Sequence, residues 1–408
     1  MKPTGPIPLA FADQRVLAIG GRAAEEWVAE HGSPLFVYDA AMVVAKVARL
    51  RAALPQGVHI HYAIKANPHA GLLAAIAPHV DGLDVASAGE LEKALDVKDG
   101  GAISFAGPGK RDVELEAAMR AGATINLESE GEASRALAIA ERIGIRPRLA
   151  VRVNPSFELR GSGMKMGGRP SPFGIDADRV PVLVRHLIDA GADWRGFHIF
   201  AGSQALDSDA IAETQAATML LAAELAERVG AVPPLVNLGG GFGVPYFFGD
   251  TSVDVERIGE KLARHLEGEW RAQRYAIELG RWLVAEAGVY LARVVDRKVS
   301  GGESFIVIDG GLHHQLAASG NFGTVVRRNY PVALARAVNA PATEAVSIVG
   351  PLCTPLDRLA DRIAFPEAGI GDVIAIFLAG AYGLTASPSR FLGHPEPAEI
   401  LVNGAQHT

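Results

Sequence analysis

Cysteine is almost absent from this 408-residue sequence, in which Cys353 stands alone. A single cysteine excludes an internal disulfide framework and fits a reducing compartment. Positive charge is not in excess, because the formal net charge is -7 at pH 7, so the basic surface that nucleic-acid binding requires is missing. The chain lacks an uncharged apolar run of about 18 residues and a signal-peptide pattern at its start. We therefore expect a cytoplasmic protein with no membrane span and no nucleic-acid partner.

Eight short apolar segments, rich in β-branched residues, mark the middle of the chain. They begin at residues 58, 82, 102, 124, 148, 196, 235 and 275. Longer segments with helical spacing of Ala, Leu and Glu lie between them. Alternating strands and helices predict parallel β/α units, and eight such units predict a closed, TIM-like (β/α)8 barrel. We place this α/β barrel at residues 36–285.

The rhythm changes after residue 286, where strand-like segments follow one another without helices of useful length. These segments are residues 289–300, 304–311, 345–350, 372–382 and 398–404. They predict a second, all-β C-terminal domain. We assign it residues 286–408 together with residues 1–35.

Chemically active residue types stand at the ends of the predicted barrel strands. Lys65 ends the first strand, Glu278 ends the eighth, and a glycine-rich turn at residues 239–243 follows the seventh. Backbone N–H groups in a glycine turn suit a phosphate. A lysine beside a phosphate site suggests pyridoxal 5'-phosphate (PLP) held as a Schiff base, with a carboxylate on the ring nitrogen. The other polar or glycine residues at these strand ends are Asn67, Asp84, Ser87, Gly107, Glu128, Arg152, Asn154, His198, Gly202, Ser203, Gly280 and Arg281.

Each of these signals also has a structural explanation. A glycine triplet is often only a tight turn, and a lysine at a strand end often extends its amine to solvent. Glu278 and Arg281 could form a structural ion pair, and His198 could be a satisfied core histidine. The combination at one rim of the barrel is what favours a functional site.

Seven ordered motifs resemble those of the fold-type III PLP-dependent decarboxylases, the diaminopimelate and ornithine decarboxylase group. They are YAIKAN at 62–67, GLDVASAGEL at 82–91, GFHIFAGSQ at 196–204, NLGGGFG at 237–243, ELGRWLVAEAG at 278–288, GPLC at 350–353 and GAYG at 380–383. The segments CTPLDRLA and GAYGLTASPS are most similar to decarboxylases of bacterial polysaccharide and exosortase systems. The resemblance covers nearly the whole chain and implies a C-terminal domain like that of alanine racemase.

The resemblance implies a role for each matching residue. Lys65 would hold PLP covalently, Glu278 would pair with the pyridine nitrogen, and Cys353 would return a proton to the α-carbon in a partner subunit's site. The enzyme would then be a homodimer with shared active sites. The implied cofactor-binding set is Lys65, Asp84, Arg152, His198, Phe200, Ser203, Gly240, Gly241, Glu278, Gly280, Arg281 and Tyr382. No metal is expected.

The sequence departs from the family pattern where the substrate is recognised. Thr354 stands where an acid often follows the cysteine, Pro172 replaces a lysine, and Phe200 replaces the histidine stacked on the cofactor. A threonine cannot offset a distal ammonium group, so a plain diamino acid is disfavoured. Where diaminopimelate decarboxylases carry an asparagine, an arginine and a tyrosine, this chain has His313, Ala317 and Asn321. The candidate substrate residues are Arg281, Arg327, Arg328, Tyr330, Thr354 and Asp357.

We therefore predict decarboxylation of a modified, acidic or carrier-protein-conjugated amino acid. The alternatives are a diaminopimelate decarboxylase proper, an amino-acid racemase of the same barrel class, and a non-catalytic homologue. The racemases place an arginine near the ring nitrogen, where this chain has Glu278. Retention of Lys65 and Cys353 argues against a non-catalytic protein. The two consecutive arginines, Arg327 and Arg328, would equally suit a solvated loop.

Overall fold

A computed structural model describes residues 1–165, 167–168, 170–268, 272–320 and 328–404. The chain divides into two units. The first, the barrel unit, contains Ala45–Gly243 and Val253–Gly280. The second, the β unit, contains Met1–Val44, Val244–Ser252 and Arg281–Thr408.

The barrel unit is built on eight parallel strands, as predicted. In chain order, β1 to β8 are Val58–Ala63, Gly82–Val85, Ile103–Phe105, Thr124–Leu127, Arg148–Asn154, Asp193–Ile199, Leu235–Asn237 and Tyr275–Leu279. Each strand pairs with the next in the chain, and β8 pairs with β1, so the sheet closes. The predicted (β/α)8 barrel is confirmed.

Helices of the barrel unit follow the strands, and most of them begin at a residue whose side chain caps the first turn. The helices are Ala70–Ile76, Ala88–Leu95, Asp112–Arg120, Glu130–Ile143, Val180–Asp189, Ser208–Val229 and Val255–Leu266. The Ser87 hydroxyl accepts the Glu90 N–H at 3.2 Å, and the Ser129 hydroxyl accepts the Glu132 N–H at 3.1 Å. These N-caps satisfy donors that the first helical turn leaves free. Ser87, predicted at a strand end, therefore begins a helix.

The β unit holds a mixed sheet around the 13-residue strand Gly288–Ser300. This strand pairs antiparallel with Leu35–Asp39, Glu303–Ile308 and Val373–Ile376. The remaining strands of this sheet are Val332–Leu334, Glu344–Val349, Arg358–Phe365 and Ala398–Val402. The predicted all-β character of the second domain is confirmed. No described helix of either unit is long and apolar enough to cross a membrane.

The boundaries between the units differ from the prediction. Leu35–Asp39, expected to open the barrel, pairs with Gly288–Ser300 and with Ala398–Val402. Residues 244–252 and 281–285 also belong to the β unit rather than to the barrel. All five residues of Leu35–Asp39 are buried. A strand buried on both faces has no periodicity that names the sheet it joins, and this explains the error.

Candidate active site

Lys65 lies immediately after β1, in a 3-10 helix of one turn, Ile64–Ala66. Its neighbours Ile64 and Ala66 are buried, whereas the Lys65 side chain is 49% exposed. The Lys65 Nζ lies 4.0 Å from Glu278 Oε1, at the end of β8. Both residues line a cavity of about 300 Å³ at the carboxyl ends of the strands. The predicted lysine and carboxylate therefore share one cavity.

Glu278 is a buried carboxylate, and its side chain is only 6% exposed. Its Oε2 lies 2.8 Å from His198 Nε2 and accepts a longer hydrogen bond of 3.5 Å from Asn237 Nδ2. Burial by itself raises the pKa of the Glu278 carboxyl, but the His198 hydrogen bond and the charge of Lys65 outweigh it and lower this pKa. Glu278 is therefore ionised at neutral pH, and His198 is its hydrogen-bond partner.

The glycine turn after β7 is shaped by close approach of backbones. A Cβ atom on Gly240 would lie 1.8 Å from the Glu278 carbonyl oxygen, and one on Gly241 would lie 2.4 Å from that of Gly202. Asn237 fixes the start of the turn, because its Oδ1 accepts the Gly239 N–H at 2.9 Å. Within the described residues, the N–H groups of Gly240 and Gly241 donate to nothing. Two free donors, next to the strand Gly202–Ser203, form a cradle that suits a phosphate.

Arg152 forms a wall of the same cavity, but its charge is already compensated. Its Nη1 donates to Glu128 Oε1 at 2.8 Å, and its guanidinium lies 4.9 Å from the Phe173 ring centroid. Glu128 also accepts the N–H groups of Gly107 at 2.6 Å and Gly174 at 2.8 Å. Burial raises the pKa of Glu128, but Arg152 and these donors lower it below its usual range. This network ties three loops together at the rim.

Asp84 lies on β2 and lines the cavity. His61, on the neighbouring strand β1, contacts the Asp84 side chain. His61 Nδ1 lies 3.4 Å from Asp84 Oδ1, and both side chains are buried. Asp84 Oδ2 has no hydrogen-bond partner in the described structure. Phe200, another predicted cofactor residue, also lines the cavity. The structure thus brings Lys65, Asp84, Arg152, His198, Phe200 and Glu278 together.

Arg281 and Tyr382, both in the β unit, also come together. The Arg281 guanidinium lies 4.5 Å from the Tyr382 ring centroid and 5.4 Å from that of Tyr246. Arg281 Nη1 also donates to the Tyr246 hydroxyl at 3.1 Å. Tyr382 has φ +53°, a left-handed backbone that non-glycine residues rarely adopt. Tyr246 was not predicted from the sequence, because it lies outside the seven motifs.

The family model for the pyridoxal binding domain of pyridoxal-dependent decarboxylases matches residues 40–285. The chain belongs to the pyridoxal-dependent decarboxylase family. It is 37% identical, over 92% of its length and 90% of the relative's, to an L-glutamyl-[BtrI acyl-carrier protein] decarboxylase of Niallia circulans. It is 32% identical to a 2-[(L-alanin-3-ylcarbamoyl)methyl]-2-hydroxybutanedioate decarboxylase of Staphylococcus aureus, over 90% of this chain and 93% of that one.

Solved structures of the family share the fold of this decarboxylase. The diaminopimelate decarboxylase of Helicobacter pylori, complexed with L-lysine, has a TM-score of 0.82 and 26% identity over 93% of each chain. The sequence resemblance, the PLP cofactor and the barrel with a β domain are confirmed. The free N–H groups of the glycine turn and the buried anion beside Lys65 fit the phosphate and the ring nitrogen of PLP.

Two predicted substrate residues of this decarboxylase are placed differently. Asp357 is 3% exposed, and its two oxygens accept the N–H groups of Leu312 at 2.7 Å and Leu352 at 2.9 Å. Tyr330 is 4% exposed and packs 4.7 Å from the Tyr246 ring centroid. Both side chains are therefore buried in the described structure, and their substrate role stays a prediction. The sequence could not show this burial, because burial of a polar side chain leaves no periodic signal in a loop.

The other substrate candidates are in the β unit or beyond the described residues. The Arg328 guanidinium lies 3.8 Å from the Phe247 ring centroid and 3.8 Å from Asp250. Cys353 is exposed in the single chain. Thr354 donates its N–H to the Leu352 carbonyl at 2.8 Å. Arg327 and Asn321 lie outside the residues that the structure describes.

Some residues of the site were not predicted. Asn237 positions the glycine turn and also donates to Glu278. Its place immediately before the glycines is a signal that could have identified it. His61 lies in the same strand-like segment as Lys65, and that segment indicates only a buried strand. Nothing in the sequence therefore marks His61 as a partner of Asp84.

Proposed function

We propose that this enzyme removes the α-carboxylate of an amino acid whose side chain is conjugated to a larger group, including a carrier protein. The observation that carries the decarboxylase chemistry is the ionised Glu278, 4.0 Å from Lys65 Nζ in one cavity. Bound PLP supplies an electron sink that accepts the electron pair left when carbon dioxide departs. The protein positions Lys65 and the ionised Glu278 in this cavity.

The predicted cofactor residues would divide this work. Lys65 would provide the amine that binds PLP covalently, and the Gly240 and Gly241 N–H groups with Ser203 would hold its phosphate. Glu278, kept ionised by His198, would present a negative charge to the ring nitrogen. The family resemblance predicts that Arg281 and Tyr382 would add phosphate contacts. Changing Arg281→Ala is expected to weaken PLP retention during dialysis, which absorbance of the bound cofactor measures.

The substrate proposal is supported by two observations. The names of two relatives describe an amino-acid unit joined to a larger group, a carrier protein in one and a hydroxybutanedioate in the other. In this chain Thr354 stands where an acid would hold a distal ammonium group. A neutral residue there accepts a substrate whose far end carries no positive charge.

A carbon dioxide release assay tests the proposal. Purified holoenzyme is offered an L-glutamyl carrier protein, free L-glutamate, meso-diaminopimelate and L-ornithine. We expect kcat/KM for the carrier conjugate to exceed that for either diamino acid by about a hundredfold or more, since an unpaired buried ammonium costs several kcal/mol. Lys65→Ala is the control and should release no carbon dioxide.

Turnover of meso-diaminopimelate at a rate comparable with the conjugate would instead establish the second candidate, diaminopimelate decarboxylase. Its support is 30% identity to the diaminopimelate decarboxylase of Methanothermobacter thermautotrophicus over 96% of this chain. Racemisation without carbon dioxide release would refute both. Glu278 argues against a racemase, because an anion at the ring nitrogen strengthens the electron sink.

We also propose that the enzyme is a cytoplasmic homodimer. Its single cysteine, Cys353, is exposed in the isolated chain, which fits its predicted place in a partner subunit's active site. Light scattering coupled to size-exclusion chromatography tests the dimer directly. A monomeric mass for the active enzyme would refute the shared site.

A further inference from the structure

The barrel has a second cavity at the end opposite Lys65. It measures about 280 Å³ and is lined by residues at the amino ends of all eight strands. Bulky branched side chains usually close this end of a TIM barrel. Here several lining residues are small, namely Gly101, Ala102, Ser104 and Ala150. The space left equals roughly nine waters at their share of liquid volume.

Three arginines line this lower cavity: Arg148, Arg195 and Arg274. Arg148 begins β5, Arg195 lies within β6, and Arg274 directly precedes β8. Because the amino ends of the strands of a closed barrel lie at the same end, the three arginines line one space. Arginine is the side chain best suited to planar, bidentate recognition of carboxylate and phosphate groups.

One carboxylate, Asp193, stands near two of these arginines in the described structure. Arg195 Nη1 forms an ion pair with Asp193 Oδ2 at 3.5 Å. Arg148 Nη2 donates only to the Gly101 carbonyl at 3.1 Å, and its buried Nε has no partner. Asp81, the lining carboxylate, already accepts from Arg51 and from the Ile60 N–H at 2.7 Å.

The electrostatics agree with this geometry. Burial lowers the pKa of Arg148, the neighbouring charge of Arg195 lowers it further, and Asp193 offsets only part of this. A bound anion would add a second compensating charge. Arg274 is exposed, so a ligand can reach the cavity from solvent.

We propose that the lower cavity is a binding site for a small anion that carries phosphate or several carboxylate groups. The anion is held by Arg148, Arg195 and Arg274, and the site is separate from the one that binds PLP and substrate. It does not depend on which amino acid the enzyme decarboxylates.

Calorimetric titration of the holoenzyme tests this site, because bound PLP already fills the phosphate cradle at the other end. Inorganic phosphate and citrate are the two probes, at constant ionic strength set with chloride. We expect saturable binding of one equivalent. The probe that binds assigns the class: phosphate indicates a phosphate-bearing ligand, and citrate indicates a polycarboxylate.

Variants locate the binding. Arg148→Gln and Arg274→Gln should each weaken the affinity about tenfold or more, since each removes charge-assisted hydrogen bonds. Arg264→Gln, on the helix Val255–Leu266 and outside the cavity, makes the same charge change and should leave the affinity unchanged. Arg274 is exposed, so its variant should fold even if Arg148→Gln does not. Absence of saturable binding to both probes, or equal affinity in all variants, would overturn the proposal.

Discussion

At the scale of single residues, Lys65 and Glu278 form the charged pair of the active-site cavity, with Lys65 Nζ 4.0 Å from Glu278 Oε1. A charged side chain ending an apolar run is costly without a partner. This cost singled out Lys65 in the sequence, and the end of the eighth strand singled out Glu278. Asp357 and Tyr330, predicted to contact substrate, are buried in the β unit. The polar type of a residue is visible in a sequence, whereas the burial of a loop side chain depends on packing that is not.

His61 is a residue whose effect on the reaction can be predicted from its surroundings. Burial lowers the pKa of His61, but Asp84, Glu278 and Asp81 together raise it above its ordinary value. His61 therefore keeps its proton, and a positive charge next to Asp84, up to a higher pH than an ordinary histidine does. We expect that in His61→Asn the fall of kcat/KM on the acid side of the pH profile begins at higher pH. Without the nearby positive charge of His61, the Glu278 carboxylate holds its proton more tightly.

His59→Asn is the matched control for that pH profile. His59 lies on the same strand with its ring centroid 6.5 Å from that of His61, and burial lowers its pKa, so it loses its proton at lower pH than an ordinary histidine. Removing it should leave the acid limb in place. An equal shift in both variants would show that the effect is a general one on the barrel rather than the charge of His61.

At the scale of elements, the eight barrel strands were predictable because each is a short apolar run, and most are followed by a segment with helical spacing. The strand Leu35–Asp39 was assigned to the wrong sheet, since its five buried residues show no alternation. Arg358–Phe365 was not recognised as a strand, because the charged residues Arg358, Asp361 and Arg362 interrupt its apolar pattern. The local sequence therefore indicates whether a segment is a strand better than it indicates which strands that segment pairs with.

The glycine turn after β7 gives a prediction at this scale. Gly240→Ala would place a methyl group 1.8 Å from the Glu278 carbonyl oxygen, so the turn must move away from β8. We expect PLP affinity to fall about tenfold or more, since a shift near 1 Å is enough to lose an aligned donor. Equilibrium dialysis followed by cofactor absorbance measures it. Gly131→Ala is the control: it lies on an exposed helix position where an added Cβ would meet only Ser129 Oγ, at 3.9 Å, and it should bind PLP normally.

At the scale of the whole molecule, two buried histidines of the β unit make the fold sensitive to acid. Burial lowers the pKa of His313 to about 4 and that of His314 to about 3, with smaller effects from neighbouring histidines. An unfolded histidine titrates near 6.5, so the unfolded chain binds more protons between that pH and 4. The free energy of unfolding therefore has its full value above pH 6.5, as far as these two histidines are concerned, and it falls as the pH decreases below 6.5.

Urea unfolding of the holoenzyme at pH 7.5 and at pH 5 measures this loss. His313→Phe removes a group whose two ring nitrogens have no partner in the described structure, and it should reduce the difference between the two pH values. His186→Phe, at an exposed helix position, should not. If both variants keep the wild-type difference, the acid sensitivity arises elsewhere.

The sharing of active sites between two subunits predicts how inactive variants combine. If Lys65 of one subunit works with Cys353 of its partner, Lys65→Ala and Cys353→Ala each inactivate both sites of their own homodimer. A mixed dimer of the two keeps one site in which both residues are intact. Since random association makes half of the dimers mixed, co-expressed variants should recover about a quarter of wild-type carbon dioxide release. Activity that stays at the sum of the two homodimers would show that each subunit completes its own site and that the exposed Cys353 is not catalytic.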